Sequence, residues 1–330
     1  MRRFLPILLI ERGASASLRP WRSSAIAPSA RMSVAKASSV SVAERCDDIR
    51  TPPQNKREYR HVTLSNGLRA LLIHDAEAEK AAAALEVRAG HFQDPPQMPG
   101  LAHFTEHMMF LGTAFEPEEG AFKAFLQRHG GTSNAFTGME STGYHFSVVH
   151  DALPEALARF AAFFTCPLLR ASSCAREMNA VDSEYRRNLQ DDSRRLFQLV
   201  KSTASHDHPF SKFSTGCLDT LSAAQEPAEA VRAFYERHYL AGAMQLCVIG
   251  REPLDQLEAL VLASLAELRV SPPAEASDSA AMRGWVEQGA AAAATGPLAA
   301  AQRGAVLRAI PVRETRLLRL MWEVGPEAEL

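Results

Sequence analysis

The spacing of apolar and polar positions changes period several times along the chain, and each change marks an element. Arg57 to Leu64 and Leu68 to Asp75 are two apolar, β-branched-containing runs joined by Ser65-Asn66-Gly67. Asn-Gly between two such runs predicts a β-hairpin. Ala81 to Arg88 predicts a third strand or a short buried element, and Asp94-Pro95-Pro96-Gln97-Met98-Pro99 a loop. Beyond Pro99 and Gly100 the spacing turns helical around His103 and runs through Met108, Met109, Phe110 and Leu111, with Gly112 placed to end the helix. A second helix is expected from about Glu119 to Arg128, stopped by Gly130-Gly131. Two strands follow, Thr132 to Thr137 and Thr142 to Val149, with a turn near Gly138.

Pro154 suits the first turn of a helix reaching about Phe164. Ser172 or Ser173 is placed to cap one long helix from Cys174 to about Ser202, whose highly charged centre needs a solvated or functional face. A helix over Pro227 to His238, a strand over Met244 to Ile249 and an amphipathic helix over Leu254 to Leu268 complete this region.

The ends of the chain differ from its middle. Residues 1–42 carry Arg2, Arg3, Arg12, Arg19, Arg22, Arg31 and Lys36 against the single acid Glu11, with many Ser and Ala. That composition is similar to an organelle transit peptide; a basic extension without an address fits it equally. The apolar run Phe4 to Ile10 is too short to span a bilayer, and no membrane span is expected. After Val270 the alanine runs 290–294 and 299–301 read as a low-complexity linker or insert. Leu318, Leu320, Trp322 and Val324 then alternate with Arg319, Met321 and Glu323, a strand pattern. The expected division is a basic N-terminal extension over 1–50, a principal domain over 51–270, a linker over 271–305 and the start of a truncated second domain over 306–330.

Composition narrows the class. With 330 residues, 46% hydrophobic and 22% charged, and a formal net charge of −2, the chain is an ordinary globular protein with no basic excess for nucleic acid. Cys46, Cys166, Cys174, Cys217 and Cys247 form no C-x-x-C pair, which favours free thiols in a reducing compartment, cytoplasmic or mitochondrial.

The candidate chemistry lies in His103-Phe-Thr-Glu106-His107. On a helix, positions 103 and 107 stand one turn apart on one face, so two imidazoles can hold one Zn²⁺, and Glu106 stays within reach of a water on the metal. This H-x-x-E-H order inverts the commoner H-E-x-x-H motif. A catalytic zinc needs a third protein ligand. Glu177 and Glu184, two turns apart on the long helix, are candidates, although two solvated glutamates on a surface helix would look the same in isolation.

Several stretches in order carry a resemblance: Gly100-Leu-Ala-His103-Phe-Thr-Glu106-His107-Met-Met-Phe-Leu-Gly112-Thr113, Ser133-Asn134-Ala135-Phe136-Thr137, Cys166-Pro167-Leu168, Asn179-Ala180-Val181-Asp182-Ser183-Glu184, Leu196-Phe197-Gln198-Leu199 and His208-Pro209-Phe210-Ser211-Lys212-Phe213. Over about residues 55–268 the chain resembles the pitrilysin (inverzincin) metallopeptidases, insulysin type. The resemblance implies an α+β fold, a mostly antiparallel sheet with helices packed against it. It implies one Zn²⁺ per chain held by His103, His107 and Glu184, with Glu106 as general base and Glu177 supporting the site without binding metal. It places Asn134 on the strand that pairs with substrate backbone, and Phe110, Ala135, Phe136 and Phe197 near the scissile bond.

The function implied is a zinc metalloendopeptidase acting on small peptides. One alternative is an incomplete fragment that binds zinc or peptide and needs a missing C-terminal half or a partner subunit. Another is a catalytic subunit of the mitochondrial processing peptidase kind. Two departures stand out: Thr105 where many insulysins have Cys, which predicts low sensitivity to thiol-alkylating reagents, and Arg194 in place of a common Trp.

Overall fold

Where the sequence alternates, the chain pairs. The computed structural model describes residues 40–270, 297–298, 304–313 and 316–322. Its strands are β1 (Val42–Cys46), β2 (Glu58–Leu64), β3 (Arg69–His74), β4 (Ala81–Val87), β5 (Thr132–Thr137), β6 (Thr142–Val148) and β7 (Met244–Gly250). They form one seven-stranded sheet in the order β1-β2-β3-β7-β4-β6-β5. Every pairing is antiparallel except β3 with β7. The β2–β3 hairpin turns where Asn-Gly predicts it: Gly67 has φ +92°, and Asn66 Oδ1 accepts from the Leu68 N–H at 3.1 Å.

The helices are α1 (Leu101–Met109), α2 (Ala121–Arg128), α3 (Leu153–Thr165), α4 (Ala171–Asn188), α5 (Asp192–Ser202), the single turn α6 (Leu218–Leu221), α7 (Pro227–His238) and α8 (Leu254–Leu265). The alternate positions Val62, Leu64, Ala70, Leu72, Ala83, Leu85, Leu246 and Val248 are buried on one side of the sheet. Helix α8 packs on β2 and β3, and α3 on β4. Phe122, Phe146, Phe160, Phe163 and Phe164 meet edge-on or tilted at centroid separations of 5.1–6.4 Å. Each such pair adds about 0.5–1.5 kcal/mol beyond its buried area. Burying one face of the sheet under helices gives the expected α+β architecture.

Three expectations are revised. The long helix from Cys174 to Ser202 is two helices, broken at 189–191. Asp191 turns extended there and its Oδ1 accepts from the Arg194 N–H at 2.9 Å, an N-cap that opens α5. The first of the two begins at Ala171 behind Arg170, not at a capping serine; Ser173 instead donates to Glu119 at 2.7 Å. Residues 318–322 are exposed and form no strand, since a strand pattern without a partner has no ladder to hold it.

Strand β1 pairs with β2, so sheet structure begins before residue 50. Residues 1–39, the alanine runs at 290–294 and 299–301, and Glu323 and Val324 lie outside the described residues. Among the described residues no helix is long and apolar enough to cross a membrane.

Candidate metal centre

Helix α1 owes its start to a close backbone approach. Gly100 has φ +95°, and a Cβ on it would lie 2.3 Å from Gly216 Cα. Only glycine permits that contact. It lays the neighbouring Thr215 carbonyl on His103, whose Nδ1 lies 2.7 Å from it. A carbonyl only accepts, so Nδ1 carries the proton and the Nε2 lone pair is left for a metal. His107 is fixed the same way: its Nδ1 lies 2.7 Å from Glu177 Oε1. The two imidazole rings stand 4.7 Å apart, centroid to centroid.

Glu184 is placed to be the third donor. Its Oε2 is 3.7 Å from His103 Nε2 and 3.6 Å from His107 Nε2. All three donor atoms lie within 4.8 Å of one another, the one such grouping of His, Cys, Asp and Glu among the described residues. Ligand atoms around a tetrahedral zinc, at bonds of about 2.0–2.1 Å, stand roughly 3.3–3.5 Å apart. The His₂Glu set fits that ion in chemistry and spacing.

The electrostatics point the same way. Burial opposes charge on His107, but Glu177, Glu184 and Glu106 around it outweigh burial and raise its pKa to about 9. The His107 imidazole in turn holds Glu184 at about 2 against burial, with His103 adding to the effect. Three carboxylates face two imidazoles; without metal a proton on His107 offsets part of that negative charge, and a divalent cation would displace it.

Glu106, on the same helix, is buried, and its Oε2 accepts from Thr137 Oγ1 at 2.6 Å. Thr137 ends β5, so this contact joins the helix to the edge of the sheet. Close by lie Tyr144 and Tyr239, hydroxyls 2.7 Å apart, both kept protonated by burial, with the Glu106 carboxylate adding to the effect. Thr105 is fully buried, and among the described residues its hydroxyl has no hydrogen-bond partner.

The other sequence candidates divide between edge and core. β5 pairs only with β6 among the described residues and so offers a free edge. On it Asn134 is exposed, Phe136 is 55% exposed and Ala135 packs inward. Phe110, just past α1, has its ring against Phe163 and Tyr144 at 5.2 and 6.1 Å, within the aromatic cluster. Phe197 stands on α5 against Phe210 at 6.2 Å, and Arg194 on the same helix is exposed.

Sequence reasoning did not find Thr137, Thr215 or Asp94. The Asp94 carboxylate accepts from the Gly100 and Ala102 N–H groups at 2.7 Å each and so caps the first turn of α1. An Asp ahead of a helix was the available signal, but six residues of loop hid it.

A helix-borne His₂Glu centre beside a buried carboxylate, under a mostly antiparallel sheet, defines the class. The chain belongs to the insulinase peptidases, family M16, which are zinc-dependent. The family model Insulinase (Peptidase family M16) matches residues 69–213, and Peptidase M16 inactive domain matches 227–325. The chain is 48% identical to mouse insulin-degrading enzyme over 67% of this chain and 22% of that one. It is 45% identical to the A-factor-processing enzyme of Saccharomyces cerevisiae over 64% of this chain and 21% of that one. The crystal structure of pitrilysin superposes with a TM-score of 0.68 at 32% identity, over 71% of this chain and 25% of pitrilysin. The matched region thus spans about a quarter or less of each relative's length.

Proposed function

We propose that this chain is a zinc metalloendopeptidase domain that cleaves small peptides. One observation carries the reading: three convergent donors, His103, His107 and Glu184, beside a buried Glu106 oriented by Thr137. His103 Nε2, His107 Nε2 and Glu184 Oε2 would hold the ion. Zinc, when bound, brings the pKa of a water to about 7 and polarises a peptide carbonyl.

The remaining steps belong to the chain. Thr137 occupies Glu106 Oε2, which leaves Oε1 to take a proton from the attacking water and return it to the departing amine nitrogen. Glu177, through Nδ1 of His107, keeps the imidazole in the ligating tautomer. A substrate backbone would add to the free edge of β5, with Asn134 on that strand and Ala135, Phe136, Phe110 and Phe197 shaping side-chain preference.

A second reading is that the chain binds metal and peptide but turns over only with a partner subunit or further half. It is favoured by the short span of the match, 22% of the mouse relative. One experiment separates the two: zinc content and peptide hydrolysis of the purified chain beside Glu106→Gln. One zinc in both proteins, with turnover at least about 100-fold lower in the variant, is the expected result. Zinc in both without turnover in either favours the second reading. A folded chain that takes up no zinc refutes both.

A further inference from the structure

Lys201 is fully buried, with 0% of its surface exposed, on the last turn of α5. Burying an ammonium costs several kcal/mol unless it is well partnered. Its partner is unusual: Nζ lies 3.1 Å from Nε2 of buried His91. The other ring nitrogen of His91, Nδ1, lies 2.9 Å from the Gly138 carbonyl, and its backbone N–H donates to the same oxygen at 3.1 Å. Since that carbonyl only accepts, Nδ1 carries the proton and Nε2 accepts from Lys201. Burial, with Lys201 beside it, pushes His91 down to about 4, so the ring stays neutral in this role.

Three residues on is Asp94, 1% exposed, whose carboxylate caps α1 through Gly100 and Ala102. Lys212 Nζ donates to the Asp94 carbonyl at 2.8 Å and to the Phe92 carbonyl. The segment is pressed on the β5–β6 turn so closely that a Cβ on Gly90 would lie 2.5 Å from the carbonyl oxygens of Gly138 and Met139.

Residues 90–94 therefore hold two things at once, the first turn of α1 and the turn that follows β5. Those are the two elements whose side chains, Glu106 and Thr137, meet at 2.6 Å. We propose that His91, Asp94, Lys201 and Lys212 are positioning residues for the metal centre: they lock the zinc helix to the substrate-edge strand, with α5 as the third member of the lock. The proposal rests on the metallopeptidase reading for its purpose but not for its geometry. It makes the orientation of Glu106, and of the first ligand His103, depend on a helix that supplies no ligand.

The test uses the whole chain with His91→Leu, His91→Gln, Lys201→Met and Asp94→Asn. Gln can donate to Gly138 and accept from Lys201 at once, so it is the conservative rescue. The first readout needs no metal: amide hydrogen exchange of residues 101–103 and 137–141. His91→Leu and Lys201→Met are expected to speed exchange in both segments together, and His91→Gln to restore it. The second is zinc affinity and the visible spectrum of the Co²⁺-substituted protein. His91→Leu, Lys201→Met and Asp94→Asn are expected to bind about 10- to 100-fold more weakly with altered Co²⁺ bands. Folded His91→Leu, Lys201→Met and Asp94→Asn variants with wild-type exchange, affinity and spectrum overturn the proposal, as does faster exchange in one segment alone. If His91→Leu or Lys201→Met does not fold, Asp94→Asn decides it by the same readouts: faster exchange in both segments with weaker zinc binding supports the lock, and wild-type values overturn it. A wild-type chain that binds no metal defeats the functional reading, while the exchange experiment still decides the lock.

Discussion

Helices α1 and α4 both bring donors to the metal centre, yet they are held in opposite ways. α1 buries Leu101, Ala102, Phe104, Thr105, Glu106, Met108 and Met109 of its nine residues and packs against α7 and α4. Only Ser173, Cys174 and Val181 of the eighteen residues in α4 are buried. Its alignment relies on polar contacts along its length: Ser173 with Glu119, Glu177 with His107, and Asp182 with the Leu218 N–H at 3.0 Å. The half-buried imidazole pair is thus carried on a core helix, whereas Glu184 arrives on a half-solvated one. Elements with few buried contacts open locally at lower cost, so Glu184 is the adjustable one of the three candidate donors.

The sharpest way to break this contrast is to remove the adjustable ligand. Glu184→Ala should lose its zinc on gel filtration against a weak chelator yet keep the wild-type far-UV circular dichroism and unfolding midpoint of the metal-free protein. Retention of stoichiometric zinc would remove α4 from the site.

Next in size is packing. Phe104→Ala on α1 should cost about 3–5 kcal/mol in urea unfolding, and Val181→Ala on α4 only about 1–2 kcal/mol. Equal costs would show that α4 is as much a core element as α1.

Acid should act on the α1 side first. Burial, aided by Arg237, lowers His238 on α7 to about 4. In the unfolded chain a histidine titrates near ~6.5. Between those values the unfolded state binds a proton that the folded state refuses. The contribution of His238 is therefore complete above about pH 6.5 and is lost as pH falls to about 4, by up to about 3 kcal/mol. His238→Asn should flatten the stability slope across that window; an unchanged slope would put the acid sensitivity elsewhere.

The smallest effect tests the link between the two helices. Glu177→Gln keeps the shape but not the charge beside His107, and should weaken zinc binding by about 10- to 100-fold, measured by competition with a chromogenic chelator. No change would mean that the core alone orients His107.

The sequence determined what local chemistry determines. Asn66-Gly67 set the hairpin, Pro and Gly bounded the helices, and period-two runs gave β2 to β7 close to their observed limits. The spacing of His103, Glu106 and His107 fixed one face of the centre, because residues one turn apart on a helix must share a face. The break at Asp191 escaped because a capping Asp inside a helical pattern is indistinguishable, by period, from one more polar residue.

Tertiary structure alone decided the rest. It slipped β7 between β3 and β4, brought β1 onto the sheet, and set the Thr215 carbonyl on His103 across 112 residues. Helical spacing left Glu177 and Glu184 equivalent and the family resemblance named Glu184; the packing puts Glu184 within 3.7 Å of both Nε2 atoms and Glu177 on Nδ1 of His107. Periodicity reports which face a side chain occupies; the path of the chain decides what that face meets. A two-turn spacing places both glutamates on one side of α4, and only the packing of α4 on α1 brings one of them, Glu184, within reach of both Nε2 atoms.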